Sequence, residues 1–162
     1  MRPVLQKGEG KLAWWQMPLL FLCSPLILVL VVLAIAVFVV RSVVLHILIW
    51  TLWRMRGHDI LFIYSDSPIW HDYTEQHLLP RIRDRAVILN WSQRNQWRLS
   101  LARVAFSHFG RDSEFNPMAV VFRPFRSTQK FRFWQPFRDW KHGHPATLEK
   151  MENDFFALIR TQ

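Results

Sequence analysis

Residues Met17 to Val40 read MPLLFLCSPLILVLVVLAIAVFVV, and no side chain among them is charged. As an α-helix this stretch would extend about 36 Å, which exceeds the roughly 30 Å hydrocarbon core of a bilayer. A cleaved signal peptide has a shorter apolar region followed by a small-residue cleavage site. The stretch therefore predicts an uncleaved transmembrane helix at residues 17–40, preceded by a basic tail at residues 1–16.

Hydrophobic residues resume after Arg41 and continue to Trp53. They are too few for a second span, and no Gly, Asn or Pro marks a turn near the middle of the combined stretch. We therefore predict a juxtamembrane helix at residues 41–56, lying at the membrane surface. A re-entrant hairpin that bends at Ser24-Pro25 is the alternative, because a proline inside a helix removes one backbone hydrogen bond.

Aromatic and basic side chains follow the apolar stretch and recur in the segment from Phe122 to Lys141. Tryptophan is enriched at membrane interfaces, and Lys and Arg are attracted to anionic headgroups. We expect these residues to contact lipid or a protein partner. The predicted contact residues are Arg41, Trp50, Trp53, Arg54, Arg56, Lys130, Arg132 and Trp134.

The chain has 21 basic and 12 acidic residues, a net charge of +9, with a basic excess on both sides of residue 56. This balance favours the lipid bilayer as a partner over nucleic acid. Cys23 is the only cysteine, which excludes an intrachain disulfide and is typical of a reducing compartment. The positive charges on the two sides of the apolar stretch are equal in number, so they do not decide its orientation. The absence of a disulfide decides it instead, because it indicates a reducing compartment. We predict a single-pass membrane protein with its carboxy-terminal domain in the cytoplasm.

Residues 57–162 are enough for one small domain. Apolar runs predict strands at residues 60–64, 86–90 and 118–122, and apolar spacing predicts helices at about 68–79, at 95–109 and around 148–159. Short apolar strands separated by helices are typical of parallel sheets covered on both faces. The expected fold class is α/β, a small three-layer domain with a mainly parallel sheet of three or slightly more strands, and residues 123–145 are expected to be irregular.

Ligands of parallel sheets bind beyond the carboxyl ends of the strands. In this sequence hydroxyl, carboxylate and guanidinium groups follow the three predicted strands, a set that suits a phosphate-bearing small molecule. Helix capping and ordinary loop polarity are the alternative explanation for the same residues. The predicted anion-binding residues are Ser65, Asp66, Ser67, Arg94, Arg98, Arg123 and Arg126.

The sequence contains no Gly-rich phosphate loop and no zinc-binding spacing of His and Cys residues. We therefore expect no metal, no cofactor and no catalytic residues. The pattern favours a non-catalytic, membrane-anchored module that binds a protein partner or an anionic membrane surface. The alternative is a small nucleotide-binding or phosphate-binding sensor or enzyme that uses the carboxyl ends of the strands, and nucleic acid ranks last among the partners.

Overall fold

A computed structural model describes residues 16–110, 116–124 and 126–161. The basic tail predicted at residues 1–16 lies outside these residues, apart from Gln16. The first helix, α1, spans Gln16–Arg54 and contains Pro25. The helix is continuous through Pro25 in the described part of the chain.

The chain divides into two compact units, residues 1–41 and residues 42–162. In the first unit the described part is helical, and the side chains from Pro25 to Arg41 are exposed. The segment Pro25–Arg54 is the one described helix that is long and apolar enough to span a membrane. Its composition is that of the predicted anchor.

The second unit contains the end of α1, four strands and a set of mostly short helices. The strands are β1 Ile60–Tyr64, β2 Ala86–Asn90, β3 Met118–Val121 and β4 Gln129–Arg132. The α-helices are α2 His71–Tyr73, α3 Leu79–Ile82, α4 Leu101–Ala105, α5 Trp134–Lys141 and α6 Ala146–Arg160. A 3-10 helix covers Trp91–Gln96, and π-helical turns cover Thr74–Leu78 and Phe106–Gly110.

The four strands form one mixed sheet in the order β2-β1-β3-β4. Strand β2 runs parallel to β1, with Ile60 opposite Ala86. Strand β3 runs antiparallel to β1, with Ile60 opposite Val121, and β4 runs antiparallel to β3. The predicted α/β class is confirmed. The prediction of a mainly parallel sheet is wrong, because β3 enters the sheet from the opposite end.

Each face of the sheet is covered by its own apolar cluster, since β1 is buried along its whole length. On one face Ile60, Phe62 and Tyr64 belong to a cluster with residues of α3, α5 and α6, which we call the α6 core. On the other face Leu61 and Ile63 belong to a cluster with residues of α4 and of the end of α1, which we call the α1 core.

The last three turns of α1 are part of the α1 core. Leu45, Ile49 and Trp53 are 5%, 1% and 6% exposed, and their spacing of four places them on one helix face. Trp53 contacts Phe122 edge to face, with ring centroids 5.8 Å apart. The expectation that Trp53 contacts lipid headgroups is therefore wrong, because the same hydrophobicity directs this side chain into the protein interior.

Two helices differ from their predicted bounds for local reasons. The helix expected to end at Pro80 continues to Ile82, and the π-helical turn directly before it places Pro80 in the first turn of α3, where its missing N–H costs little. The helix expected from residue 95 begins at Leu101, because the Ser100 hydroxyl accepts a hydrogen bond from the Arg103 N–H and caps the first turn.

The only two tyrosines in the chain, Tyr64 and Tyr73, lie in or against the α6 core. The Tyr64 hydroxyl donates to Glu75 Oε1 at 2.6 Å. Burial, followed by hydrogen bonding to a carboxylate, raises the pKa of both phenols, the partner being Glu75 for Tyr64 and Glu152 for Tyr73. Their raised pKa means that the folded chain holds these protons more tightly than the unfolded chain.

We predict that tyrosinate absorbance stays low in the folded chain at pH 10, where a free phenol is half ionised. Because the folded state binds the protons, stability falls as the pH rises above 10, and ionisation coincides with unfolding. The measurement is absorbance at 295 nm against pH, with far-ultraviolet circular dichroism on the same samples. A titration midpoint near 10 with intact dichroism would contradict the described burial.

Candidate functional site

The predicted anion-binding residues lie at two opposite ends of the sheet. Asp66 follows β1 and Arg94 follows β2, so these residues lie where the two parallel strands end. Arg123 and Arg126 follow β3, which is antiparallel to β1, and therefore lie where β1 begins. A five-residue strand is about 17 Å long. The seven residues therefore do not form one site, and we name the two ends separately as the aspartate end and the arginine end.

At the aspartate end the polar groups bond to one another. The Asn90 amide donates to Asp66 Oδ1 at 2.7 Å, and the Asp66 N–H donates to the Ser92 hydroxyl at 3.0 Å. Asn90 Oδ1 in turn accepts from the Ser92 N–H at 2.9 Å and caps the following 3-10 helix. His71 Nδ1 lies 3.6 Å from the same Asp66 oxygen. This network joins the loops after β1 and β2.

The two serines predicted beside Asp66 also have structural partners. Ser65 is buried, and its hydroxyl accepts from the Trp70 indole at 3.3 Å. The Ser67 hydroxyl accepts from the Ile69 N–H at 3.5 Å, and the Ser67 carbonyl accepts from the His71 N–H at 2.9 Å, in the turn that leads into α2. Capping and loop closure therefore account for these hydroxyls.

A cleft of about 360 Å³ lies near the end of β2 and is lined by aromatic and polar residues. The Arg94 guanidinium lies 5.2 Å from the Trp91 ring, and Arg103 donates to the Trp97 carbonyl at 3.0 Å. Arg98 is exposed beside Trp97. The lining residues are Trp91, Arg94, Asn95, Trp97, Arg103, Phe106 and Ser107.

The basic aromatic segment from Phe122 to Lys141 is largely structural. Its phenylalanines Phe131, Phe133 and Phe137 are buried in the α6 core. Lys130 and Arg132 are exposed on β4, at one edge of the sheet, where charged residues discourage pairing with other strands. Trp134 is half-buried, and the Arg138 guanidinium lies 4.6 Å from its ring. The segment therefore supplies core residues and an edge strand.

At the arginine end an open cleft of about 240 Å³ is lined by three arginines, Arg54, Arg123 and Arg126, together with Pro124 and Thr161. Among the described residues, none of the three forms a salt bridge. The nearby Arg85 is engaged, because it pairs with buried Asp59 and donates to the Ile159 carbonyl at 2.5 Å. The cleft therefore presents positive charge to any group that enters it.

A second cleft, of about 360 Å³, adjoins the first, because Arg126 lines both. One side of it is formed by α1 and the other by the loop that follows β3. The lining residues are Ser42, Val43, His46, Ile47, Phe109, Arg126, Ser127 and Thr128. His46 Nε2 donates to the Arg123 carbonyl at 2.9 Å and so links α1 to the loop that follows β3, which we call the arginine loop.

The outer face of α1 within the second unit is apolar. The side chains that point away from the α1 core are exposed, from Val43 at 52% to Leu52 at 51%. Thr51 is on this face, and its hydroxyl donates to the Ile47 carbonyl at 2.8 Å. Trp50 is 39% exposed, and Arg41, Arg54 and Arg56 are exposed. We call this surface, formed by Val43, Val44, Ile47, Leu48, Trp50, Thr51 and Leu52, the outer α1 face.

Several residues that line the two clefts at the arginine end were not predicted from the sequence, among them His46, Phe109 and Thr161. No motif marks them, since they come together through the direction of β3 and the packing of α1. Among the described residues, no three His, Cys, Asp or Glu side chains converge as metal ligands. No protein-family model matches this chain, and neither the curated proteins nor the solved structures contain a significant match to it.

Proposed function

We propose that this chain is a single-pass membrane module without a catalytic role, whose second unit binds an anionic membrane surface through the outer α1 face and the arginine end. The carboxy-terminal unit would lie in the cytoplasm, with helices on both faces of its sheet as a three-layer domain. The observation that carries the proposal is the apolar outer α1 face, on a helix whose opposite face is already buried in the α1 core.

Exposure of the apolar outer α1 face to water is energetically unfavourable. Exposed large apolar side chains scattered singly are ordinary, but a contiguous row such as Val43, Ile47 and Leu48 marks an interaction surface. Thr51 on this face donates its hydroxyl to a backbone carbonyl of the preceding turn, so this hydroxyl brings no unpaired donor into an apolar surrounding. Lipid is the occupant we favour, because in the sequence these apolar residues resume shortly after the uncharged stretch that ends at Val40.

The length of the apolar sequence supports the same occupant. From Met17 to Trp53 the chain has 37 residues with one charged side chain, Arg41, whereas about 20 apolar residues suffice to cross a bilayer. The apolar residues beyond one span would be unfavourable in water. Contact of the outer α1 face with the membrane interface provides them with an apolar surrounding.

The positive charge of the second unit indicates which leaflet of the membrane it would bind. Exposed Arg54, Arg56 and Arg126 lie on the second unit, beside or just after the outer α1 face. Each basic residue near an anionic leaflet contributes roughly 1 kcal/mol of attraction. The cytoplasmic leaflet carries the anionic lipids, which agrees with the proposed orientation.

Trypsin cleavage after Arg126 tests this proposal in the full chain. In nanodiscs containing phosphatidylglycerol we expect cleavage after Arg126 to be about tenfold slower than in nanodiscs of phosphatidylcholine, with the difference lost at high salt. Cleavage after Arg98, which lies beside Trp97 near the other end of the sheet, is the internal control and should not change. Equal rates after Arg126 in both lipids would argue against binding to an anionic surface.

The cleft near the end of β2 supports a second candidate function. Two arginines and two tryptophan rings at one opening suit an aromatic, phosphate-bearing ligand such as a nucleotide. We rank this candidate second, because Arg94 and Arg103 already bond to backbone carbonyls within the cleft wall. Thermal stabilisation by millimolar nucleotide that is lost in Arg94→Gln would raise it to first.

A further inference from the structure

The two clefts at the arginine end are together complementary in polarity to one amphipathic ligand. The first offers guanidinium groups, the second offers the apolar side chains of Val43, Ile47 and Phe109, and Arg126 borders both. We propose that the pair forms a specific site for one anionic phospholipid, with its phosphate among the arginines and its glycerol and upper acyl region along α1. This inference rests on the proposed function and names the ligand of the same surface.

The Arg123 guanidinium is poorly satisfied by the protein itself. Arg123 has a buried Nε with no hydrogen-bond partner among the described residues, and its Nη2 makes only a long bond of 3.4 Å to the Ser127 carbonyl. A buried donor without a partner costs free energy, which an acceptor in the cleft would recover. Guanidinium groups bind phosphate oxygens in pairs of parallel hydrogen bonds, so the missing acceptor fits a phosphate.

Arg123 is also held in place. Its carbonyl accepts from His46 Nε2 at 2.9 Å, and the His46 ring contacts Phe122 with centroids 6.2 Å apart. The arginine loop is therefore attached to the same helix that forms the apolar side of the second cleft. His46 acts here as a positioning residue, through the backbone of Arg123.

The apolar side of the second cleft decides between a lipid and a free phosphate. A soluble phosphate needs only the arginines, whereas Val43 and Ile47 gain nothing from it. Both belong to the outer α1 face, which the proposed function places against lipid. Acyl carbons that cover these side chains would add hydrophobic free energy to the charge interaction.

Thermal unfolding of the full chain in a neutral detergent tests the site. We compare added short-chain phosphatidylglycerol, short-chain phosphatidylcholine, glycerol 3-phosphate and inorganic phosphate. We expect phosphatidylglycerol to raise the Tm by about 5 °C at tenfold excess over its Kd, and the other three to raise it by much less. Equal stabilisation by inorganic phosphate would overturn the lipid assignment, and no stabilisation by any of the four would overturn the site.

Arginine substitutions distinguish a specific lipid site from a general electrostatic attraction between the basic chain and anionic lipid. In Arg54→Gln/Arg123→Gln/Arg126→Gln the lipid-dependent Tm shift should disappear, and in Arg126→Gln alone it should require about tenfold more lipid. The matched control, Arg98→Gln/Lys141→Gln/Lys150→Gln, removes the same charge from other exposed positions and should keep the full shift. Because Arg126 is exposed, Arg126→Gln leaves both cores intact. This single variant therefore tests the site if the triple variant does not fold.

The outcomes also separate this inference from the proposed function. An unchanged shift in the arginine variants would overturn the specific site. If trypsin protection in anionic nanodiscs persists while the Tm shift is absent, surface binding stands and the specific lipid site falls. If protection is absent while the Tm shift is present, the lipid site stands without general surface binding.

Discussion

Replacing Ile49 by alanine is expected to lower the free energy of unfolding by about 2–4 kcal/mol, because Ile49 is 1% exposed within the α1 core. In a unit of this size that corresponds to a fall in Tm of roughly 10 °C. The measurement is thermal unfolding of the full chain in neutral detergent, followed by near-ultraviolet circular dichroism.

The neighbouring Leu48 provides a matched control. It is 40% exposed on the outer α1 face, so Leu48→Ala should change the Tm in detergent by no more than a few degrees. Equal losses in both variants would mean that this part of α1 is not packed on the sheet as described. A loss only in Leu48→Ala would reverse the assignment of the two helix faces.

Replacing Phe155 by alanine is expected to have a larger effect, about 3–5 kcal/mol. Phe155 is fully buried in the α6 core, where its ring contacts Phe131 at 5.2 Å and Phe133 at 5.9 Å between centroids. The loss removes both edge-to-face contacts and leaves a cavity between α6, β4 and the start of α5. We expect the thermal unfolding transition of the second unit to shift strongly toward ambient temperature.

The adjacent Asp154 is exposed, and Asp154→Ala serves as the control, with an expected change within about 0.5 kcal/mol. Urea unfolding of both variants, followed by the circular dichroism of the aromatic residues, measures the difference. A stability of Phe155→Ala within 1 kcal/mol of the unsubstituted chain would contradict a core centred on these three rings.

The elements with a continuous apolar run or a clear apolar stripe could be predicted from the sequence, and strand β4 could not. The strands at Ile60–Tyr64 and Ala86–Asn90 agree with the prediction because each contains a run of at least three large apolar residues. Strand β4 was missed because only Phe131 of its four residues points into the core. An edge strand of this composition has the appearance of a loop.

The incorrect prediction with the larger consequence concerned the direction of β3. An apolar run such as Met118–Val121 is compatible with either strand direction, so nothing in the sequence excludes a parallel β3. The predicted anion site depended on that direction, and two of its arginines, Arg123 and Arg126, lie at the opposite end of the sheet because β3 is antiparallel. There they lie beside α1, at a site that no spacing in the sequence indicates.

The end of α1 could not be assigned to the core from the sequence for a different reason. Leu45, Ile49 and Trp53 have the spacing of a buried helix face, but most positions between them are apolar too. A helix that is hydrophobic on all sides gives no periodic signal. Only the packing on the sheet separates the buried face from the outer α1 face.

The accessibility of a spin label on the outer α1 face tests the central claim most directly. In the full chain with Cys23→Ala, a label at Leu48→Cys is compared with one at Asp154→Cys in bilayers containing phosphatidylglycerol. We predict that the Leu48 label collides with oxygen and is shielded from a water-soluble nickel complex, while the Asp154 label shows the opposite. Nickel access to both labels would contradict contact with lipid, and spin–spin coupling at Leu48 would assign the outer α1 face to a second copy of the chain.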